Sequence, residues 1–117
     1  PKPWPSQNRI YRTMKSITVQ ELHRLMNNNE QITLVDVREK GERVMASIKG
    51  STHVPMMAIP HQLEIFNKDE PIYLFCHSGV RSAQACLYLE QQGFDSVNII
   101  GGIHAWSTEV DSSVPTY

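Results

Sequence analysis

The chain has only two cysteines in 117 residues, Cys76 and Cys86. That excludes a disulfide-stapled scaffold and a four-cysteine metal site. No run of about 18 apolar residues occurs, so no membrane-spanning helix is encoded. Neither sign of charge dominates: 11 Lys and Arg stand against 12 Asp and Glu, for a net charge of −1. A nucleic-acid binder normally carries a basic excess, so that class is set aside. No His-x-x-x-His or Cys–His spacing points to zinc. No internal repeat or low-complexity segment is visible. What remains is an ordinary globular composition, 40% hydrophobic and 20% charged, long enough for one domain with one core.

Residues 1–15 (PKPWPSQNRIYRTMK) carry three of the seven prolines and no sustained apolar period. They are expected to form an irregular arm or a linker, with Trp4 and Tyr11 able to pack it onto the domain. The first residue is Pro1 rather than Met, so a processed or trimmed chain is expected, and a targeting peptide cannot be read from it. Residues 16–110 are expected to make the domain, and 111–117 a short tail.

Thr18 followed three residues later by Glu21 is a capping-box pattern, after which Leu22, Leu25 and Met26 share one helical face. The apolar runs ITLVDV (32–37), STHV (51–54), IYLF (72–75) and VNII (97–100) read as strands. Helices are expected over 40–46, 56–66, 82–92 and 103–110, with Pro60 near a start or break in the second and Gly93 ending the third. Trp106 is expected to pack the last helix onto the sheet. Buried strands alternating with helices predict an α/β domain with a central, mainly parallel β-sheet and helices on both faces. Ligand sites in such sheets lie beyond the carboxyl ends of the strands.

Beyond IYLF lies Cys76-His77-Ser78-Gly79-Val80-Arg81-Ser82, followed by a helix. This unit places Cys76 at the carboxyl edge of the sheet, where loop and helix-start N–H groups can surround its sulfur. Gly79 permits backbone angles closed to other residues. Arg81 supplies a cation, and such surroundings favour the thiolate, the nucleophilic form. The constellation suits covalent sulfur, phosphoryl or arsenyl chemistry. Taken alone, Cys76 would read as a small buried hydrophobe; its place between strand, glycine, arginine and helix argues otherwise. Cys86 sits ten residues on, inside the helix, about 15 Å away along the axis. A bridge needs Cα atoms within ~7 Å, so Cys86 is read as core packing. His77 is placed to tune the thiolate or touch the donor. His53, His61 and His104 are scattered, and Met56 and Met57 read as packing residues.

Four stretches, LVDVRE (34–39), IKGSTHVP (48–55), IYLFCHSGVRSAQACLYLEQQGF (72–94) and VNIIGGIHAW (97–106), follow one another in an order that resembles the rhodanese family of single-domain sulfurtransferases. The resemblance covers most of residues 16–107. It implies an enzyme of the thiosulfate sulfurtransferase type, in which Cys76 as thiolate takes the outer sulfur of a donor, holds it as a persulfide, and passes it on. The resemblance makes Cys76 catalytic and His77, Ser78, Gly79, Val80, Arg81 and Ser82 the substrate-binding loop. Asp36 and Arg38 match the family's Asp-x-Arg pattern and are expected to support that loop. Glu42 matches a family acid in the helix after it. Where the family has Gly-His before an Ile, this chain has Ala46-Ser47 before Ile48.

The resemblance also implies no metal and no organic cofactor. The implied partners are a small anionic sulfur donor and a thiol or cyanide acceptor, with a protein sulfur acceptor as a further candidate. Family members of sulfurtransferase type have a six-residue loop, and phosphatase-type relatives have one residue more. Cys76 and Arg81 stand in C-x4-R spacing, which favours a ring of donors fitted to one sulfur atom. The alternatives are a persulfide carrier or binding module with little small-molecule turnover, and a phosphatase or arsenate reductase. A cysteine that must stay reduced or persulfidated points to the cytoplasm.

Overall fold

The central strands form where apolar runs are long enough to be covered on both sides, and the helices do the covering. The computed structural model describes residues 14–28 and 31–117. Most of the expected arm, with Trp4 and Tyr11, therefore lies outside the described residues. Five strands, β1 (Lys15–Ile17), β2 (Thr33–Asp36), β3 (Thr52–His53), β4 (Pro71–Phe75) and β5 (Asp95–Ile99), make one sheet in the order β1-β5-β4-β2-β3. Every described pairing is parallel. Among the described residues four α-helices occur: α1 (Val19–Asn27), α2 (Lys40–Met45), α3 (Val80–Gln91) and α4 (Gly102–Glu109).

Alternation along the strands splits the core in two. Val35, Ile72 and Leu74 face Ala85, Cys86 and Leu89 of α3. Leu34, Phe75 and Ile99 face the other way, onto Val19 and Leu22 of α1 and Ile103 and Trp106 of α4. The helix α1 opens with a complete capping box, Thr18 Oγ1 accepting from Glu21 N–H and Glu21 Oε1 accepting from Thr18 N–H, both at 3.1 Å. The register pairs Asp36 of β2 with Phe75 of β4, so the residues after each emerge side by side at the carboxyl edge.

Three expectations need correction. Lys15 belongs to the edge strand β1, not to an arm, and Met14 already packs on the core. Residues 56–66 are not an α-helix but two 3-10 segments, Met56–His61 and Leu63–Ile65. Pro60 inside the first has no N–H to donate to an α-helical ladder. The helix after the loop begins at Val80, two residues before Ser82, because Gly79 with φ of +112° ends the loop early. Among the described residues no helix is long and apolar enough to cross a membrane.

Candidate active site

Cys76 is the first residue beyond β4, 1% exposed. The chain then folds back on itself. At Gly79 the positive φ turns the backbone N–H toward Cys76 Sγ, which accepts at 3.1 Å. The Ser82 hydroxyl, from the first turn of α3, lies 3.4 Å from the same sulfur. From the other side, α4 presents its first turn to the loop. The N–H groups of Ile103 and His104 donate to the carbonyl oxygens of Cys76 and His77 at 2.9 and 3.0 Å. Gly102 makes this approach possible. Its φ is +59°, and a side chain there would collide with both carbonyls. Free helix-start N–H groups thus take the loop's carbonyls and fix its shape.

A polar residue of β5 ties the loop to the sheet. Asn98, almost fully buried, donates from Nδ2 to the carbonyl of Gly79 at 3.2 Å and accepts from Ser82 Oγ–H at 2.5 Å. In the sequence it is one polar residue in the apolar run VNII.

Arg81 projects from α3 toward α2 and meets Glu42 in a two-pronged ion pair, Nη1 to Oε1 at 2.6 Å and Nη2 to Oε2 at 2.8 Å. Such fork-to-fork pairs are strong and directional. Arg81 holds the Glu42 carboxyl down, from an ordinary 4.5 to about 2, against the opposing effect of burial. In return Glu42 pushes the Arg81 guanidinium above its ordinary value. The cation expected at the loop is present, but its charge is largely compensated.

Asp36 and Arg38, both fully buried, form a second pair. Asp36 Oδ1 accepts from Arg38 Nε at 2.9 Å and Oδ2 accepts from Nη2 at 2.8 Å. Arg38 also donates to the carbonyl of Ala46 at 2.5 Å, and Arg43 reaches Asp36 Oδ2 at 3.1 Å. Buried charge is tolerable only when paired and hydrogen-bonded in this way. Burial works against the charged form of Arg38, but its bonds to Asp36 and Tyr117 outweigh that and leave its pKa raised.

Tyr117 joins the two pairs. Its hydroxyl accepts from Arg38 Nη1 at 2.8 Å and donates to Glu42 Oε2 at 2.7 Å. Its ring stacks on His77, centroids 4.4 Å apart, while His104 meets His77 edge-on at 5.8 Å. Nε2 of His77 is buried and has no hydrogen-bond partner among the described residues.

The fold therefore gathers Cys76, His77, Gly79, Arg81 and Ser82, with Ser78 and Val80 exposed on the outer side of the loop. Asp36 and Arg38 reach the loop through Tyr117 and Glu42. The other cysteine, Cys86, is a buried free thiol on α3, pushed far above the ordinary thiol range by burial. His53 instead meets the backbone carbonyl of Arg38 at 2.7 Å. Among the described residues no three His, Cys, Asp or Glu side chains come together as a metal site. Asn98 and Tyr117 were not signalled by spacing, because only the closed fold brings them here.

A parallel α/β sheet carrying a cysteine-headed loop between a strand end and a helix start defines a class of small domains, and comparison with known proteins agrees. The family described as "Rhodanese-like domain" matches residues 18–109. The chain is 38% identical over 96 residues to a Bacillus subtilis protein named putative sulfurtransferase YtwF, covering 82% of this chain and 93% of that one. A protein named sulfurtransferase from Allochromatium vinosum is 37% identical over 95 residues, 80% of this chain and 89% of its own. The crystal structure of a rhodanese-like domain protein from Staphylococcus aureus superposes with a TM-score of 0.79 at 41% identity, over 89% of this chain and 99% of that one. The chain belongs to the rhodanese-like domain family.

Proposed function

We propose that this protein is a sulfurtransferase that carries a sulfane sulfur on Cys76. Its thiolate attacks the outer sulfur of a donor such as thiosulfate. A sulfur–sulfur bond forms to Cys76 Sγ as the donor's own sulfur–sulfur bond breaks, and sulfite leaves with the electron pair. A thiol or cyanide then attacks the terminal sulfur, releasing a new persulfide or thiocyanate and restoring the thiolate. Splitting one transfer into two displacements is the use of a covalent intermediate. A reducing compartment such as the cytoplasm suits this cycle.

One observation carries the reading: Cys76 Sγ lies buried at the end of β4, receiving the Gly79 N–H at 3.1 Å inside a C-x4-R loop. A short loop of this kind fits one added sulfur atom rather than a tetrahedral phosphate. Positive compensation at the mouth comes from Arg81, but most of it is spent on Glu42. A small anion is therefore drawn by local amides more than by net charge.

The test is intact mass spectrometry after incubation with thiosulfate. We expect the gain of one sulfur on the wild type and on Cys86→Ala, and none on Cys76→Ala. No adduct on the wild type, or one that survives in Cys76→Ala, overturns the proposal. Steady-state thiocyanate production then separates an enzyme from a carrier that loads but turns over poorly. Hydrolysis of an aryl phosphate that is lost in Cys76→Ser would favour a phosphatase instead.

A further inference from the structure

We propose that Asn98 is a positioning residue for Cys76, and that the Ser82 hydroxyl is a two-position proton switch under its control. The proposal rests on Cys76 being the nucleophile, and it follows from counting hydrogens. The carbonyl of Gly79 can only accept, so the side of the Asn98 amide that faces it at 3.2 Å must be Nδ2. That leaves Oδ1, which can only accept, 2.5 Å from Ser82 Oγ. A hydroxyl has one hydrogen, and the short contact to a full acceptor holds it. Ser82 Oγ therefore turns a lone pair toward Cys76 Sγ at 3.4 Å.

This arrangement fits a protonated sulfur. The thiol donates to Ser82 Oγ, which donates to Asn98. When the sulfur loses its proton to solvent, the same lone pair faces an anion. The Ser82 hydroxyl must then rotate to donate to sulfur, and Asn98 Oδ1, almost fully buried, is left without that donor. A buried acceptor without a donor is costly. Asn98 thus opposes loss of the proton through Ser82, since the thiolate forms with the loss of one buried hydrogen bond. Gly79 N–H stays on the sulfur in both forms.

The other groups around Cys76 are Arg81 and Cys86 on α3, His77 in the loop, His104 on α4, Tyr117 against His77, Glu42 on α2 behind Arg81, and the Asp36–Arg38 pair beyond β2. All of them are the same in the variants that isolate the switch.

The experiment is a double-mutant cycle on the whole chain: wild type, Ser82→Ala, Asn98→Leu and both together. The reaction is alkylation by iodoacetamide, a neutral reagent, followed by mass spectrometry as a function of pH. Replacing Asn98 also removes one of two donors from the Gly79 carbonyl, which keeps the Ala83 N–H at 3.1 Å, and that effect is common to both halves of the cycle. The part that acts through Ser82 is not. We expect Asn98→Leu to move the midpoint of the pH–rate profile about one pH unit further down when Ser82 is present than in the Ser82→Ala background, the size of one hydrogen bond to a charged acceptor. Equal movement in the two backgrounds, or a difference in the other direction, overturns the proposal. If Asn98→Leu does not fold, Asn98→Ala takes its place. The infrared S–H band of Cys76, identified by its loss in Cys76→Ala, needs no Asn98 variant. It should be lowered by hydrogen bonding in the wild type and rise in Ser82→Ala; an unchanged band is a second way for the switch to fail. Iodoacetamide needs no sulfur donor, so the switch can hold in a protein that takes nothing from thiosulfate, and the two proposals fail separately.

Discussion

The hydroxyl of Tyr117 stands between Arg38 and Glu42, accepting from the first at 2.8 Å and donating to the second at 2.7 Å. One phenol thereby links the buried Asp36–Arg38 pair to the Glu42–Arg81 pair beside the active loop. Tyr117→Phe keeps the ring on His77 and removes both bonds. We expect it to lower stability by about 1 kcal/mol, seen as a lower urea midpoint with an unchanged slope. An unchanged midpoint would mean that the two pairs are independent.

Glu42 makes part of the stability pH-dependent. Its carboxyl is held at about 2 in the folded chain against an ordinary 4.5. In the interval between these values the unfolded chain binds the proton and the folded chain does not, so stability rises with pH there. The contribution is fully present above about 4.5 and is lost as pH falls through about 2. Glu42→Gln should therefore destabilise the protein at neutral pH, and its deficit against the wild type should shrink across that window in chemical denaturation. A deficit that is constant with pH would remove the ion pair as its source.

Arg81 and Glu42 must be read together when a charged donor approaches. Arg81→Ala leaves the Glu42 carboxylate beside the loop without its main partner. Thiosulfate is then repelled, while an uncharged organic polysulfide is not. We expect Arg81→Ala to slow persulfide formation from thiosulfate about tenfold more than from the polysulfide. Adding Glu42→Gln should recover part of that difference. Equal slowing for both donors would take Arg81 out of anion recognition.

Gly102 is the hinge between loop and helix. An added methyl would meet the carbonyls of Cys76 and His77, at a φ of +59° that side chains rarely adopt. Gly102→Ala should lower the melting temperature by roughly 10 °C and slow sulfur loading, since the loop loses its α4 anchor. Scanning calorimetry beside the thiosulfate adduct assay checks both, and an unchanged melting temperature would show that the loop gives way at no cost.

The sheet was readable because its central strands are apolar on both faces: ITLVDV and IYLF become β2 and β4, and VNII supplies most of β5. The edge was not. Strand β1 is three residues, Lys15 and Ser16 exposed, and exists because β5 offers an unpaired side: Lys15 pairs with Val97 and Ile17 with Ile99. Local pattern also misread 56–66, where an apolar spacing suited to an α-helix gives way to 3-10 turns around Pro60. At the site, the loop from Cys76 to Ser82 is contiguous, so its residue types announce it. Asn98 and Tyr117 act across 16 and 79 residues of chain, on Ser82 and Arg38. No period or spacing encodes such contacts; they arise when parallel strands bring their carboxyl ends to one edge. Arg81 was visible as a cation, but its neutralisation needed the position of α2.

Cys86 sets a limit on how the protein handles oxidants. It is the one other sulfhydryl in the chain, shut inside the α3 face of the core and held protonated by burial. A resolving cysteine must be an accessible thiolate near its partner. Cys86 packs in the same core cluster as Cys76 but is neither accessible nor a thiolate, so a sulfenic acid formed at Cys76 has no reactive internal thiol to condense with. Repair must come from an outside reductant, and where that is scarce, the damage runs on to irreversible sulfinic and sulfonic acids at the single atom on which the proposed chemistry depends.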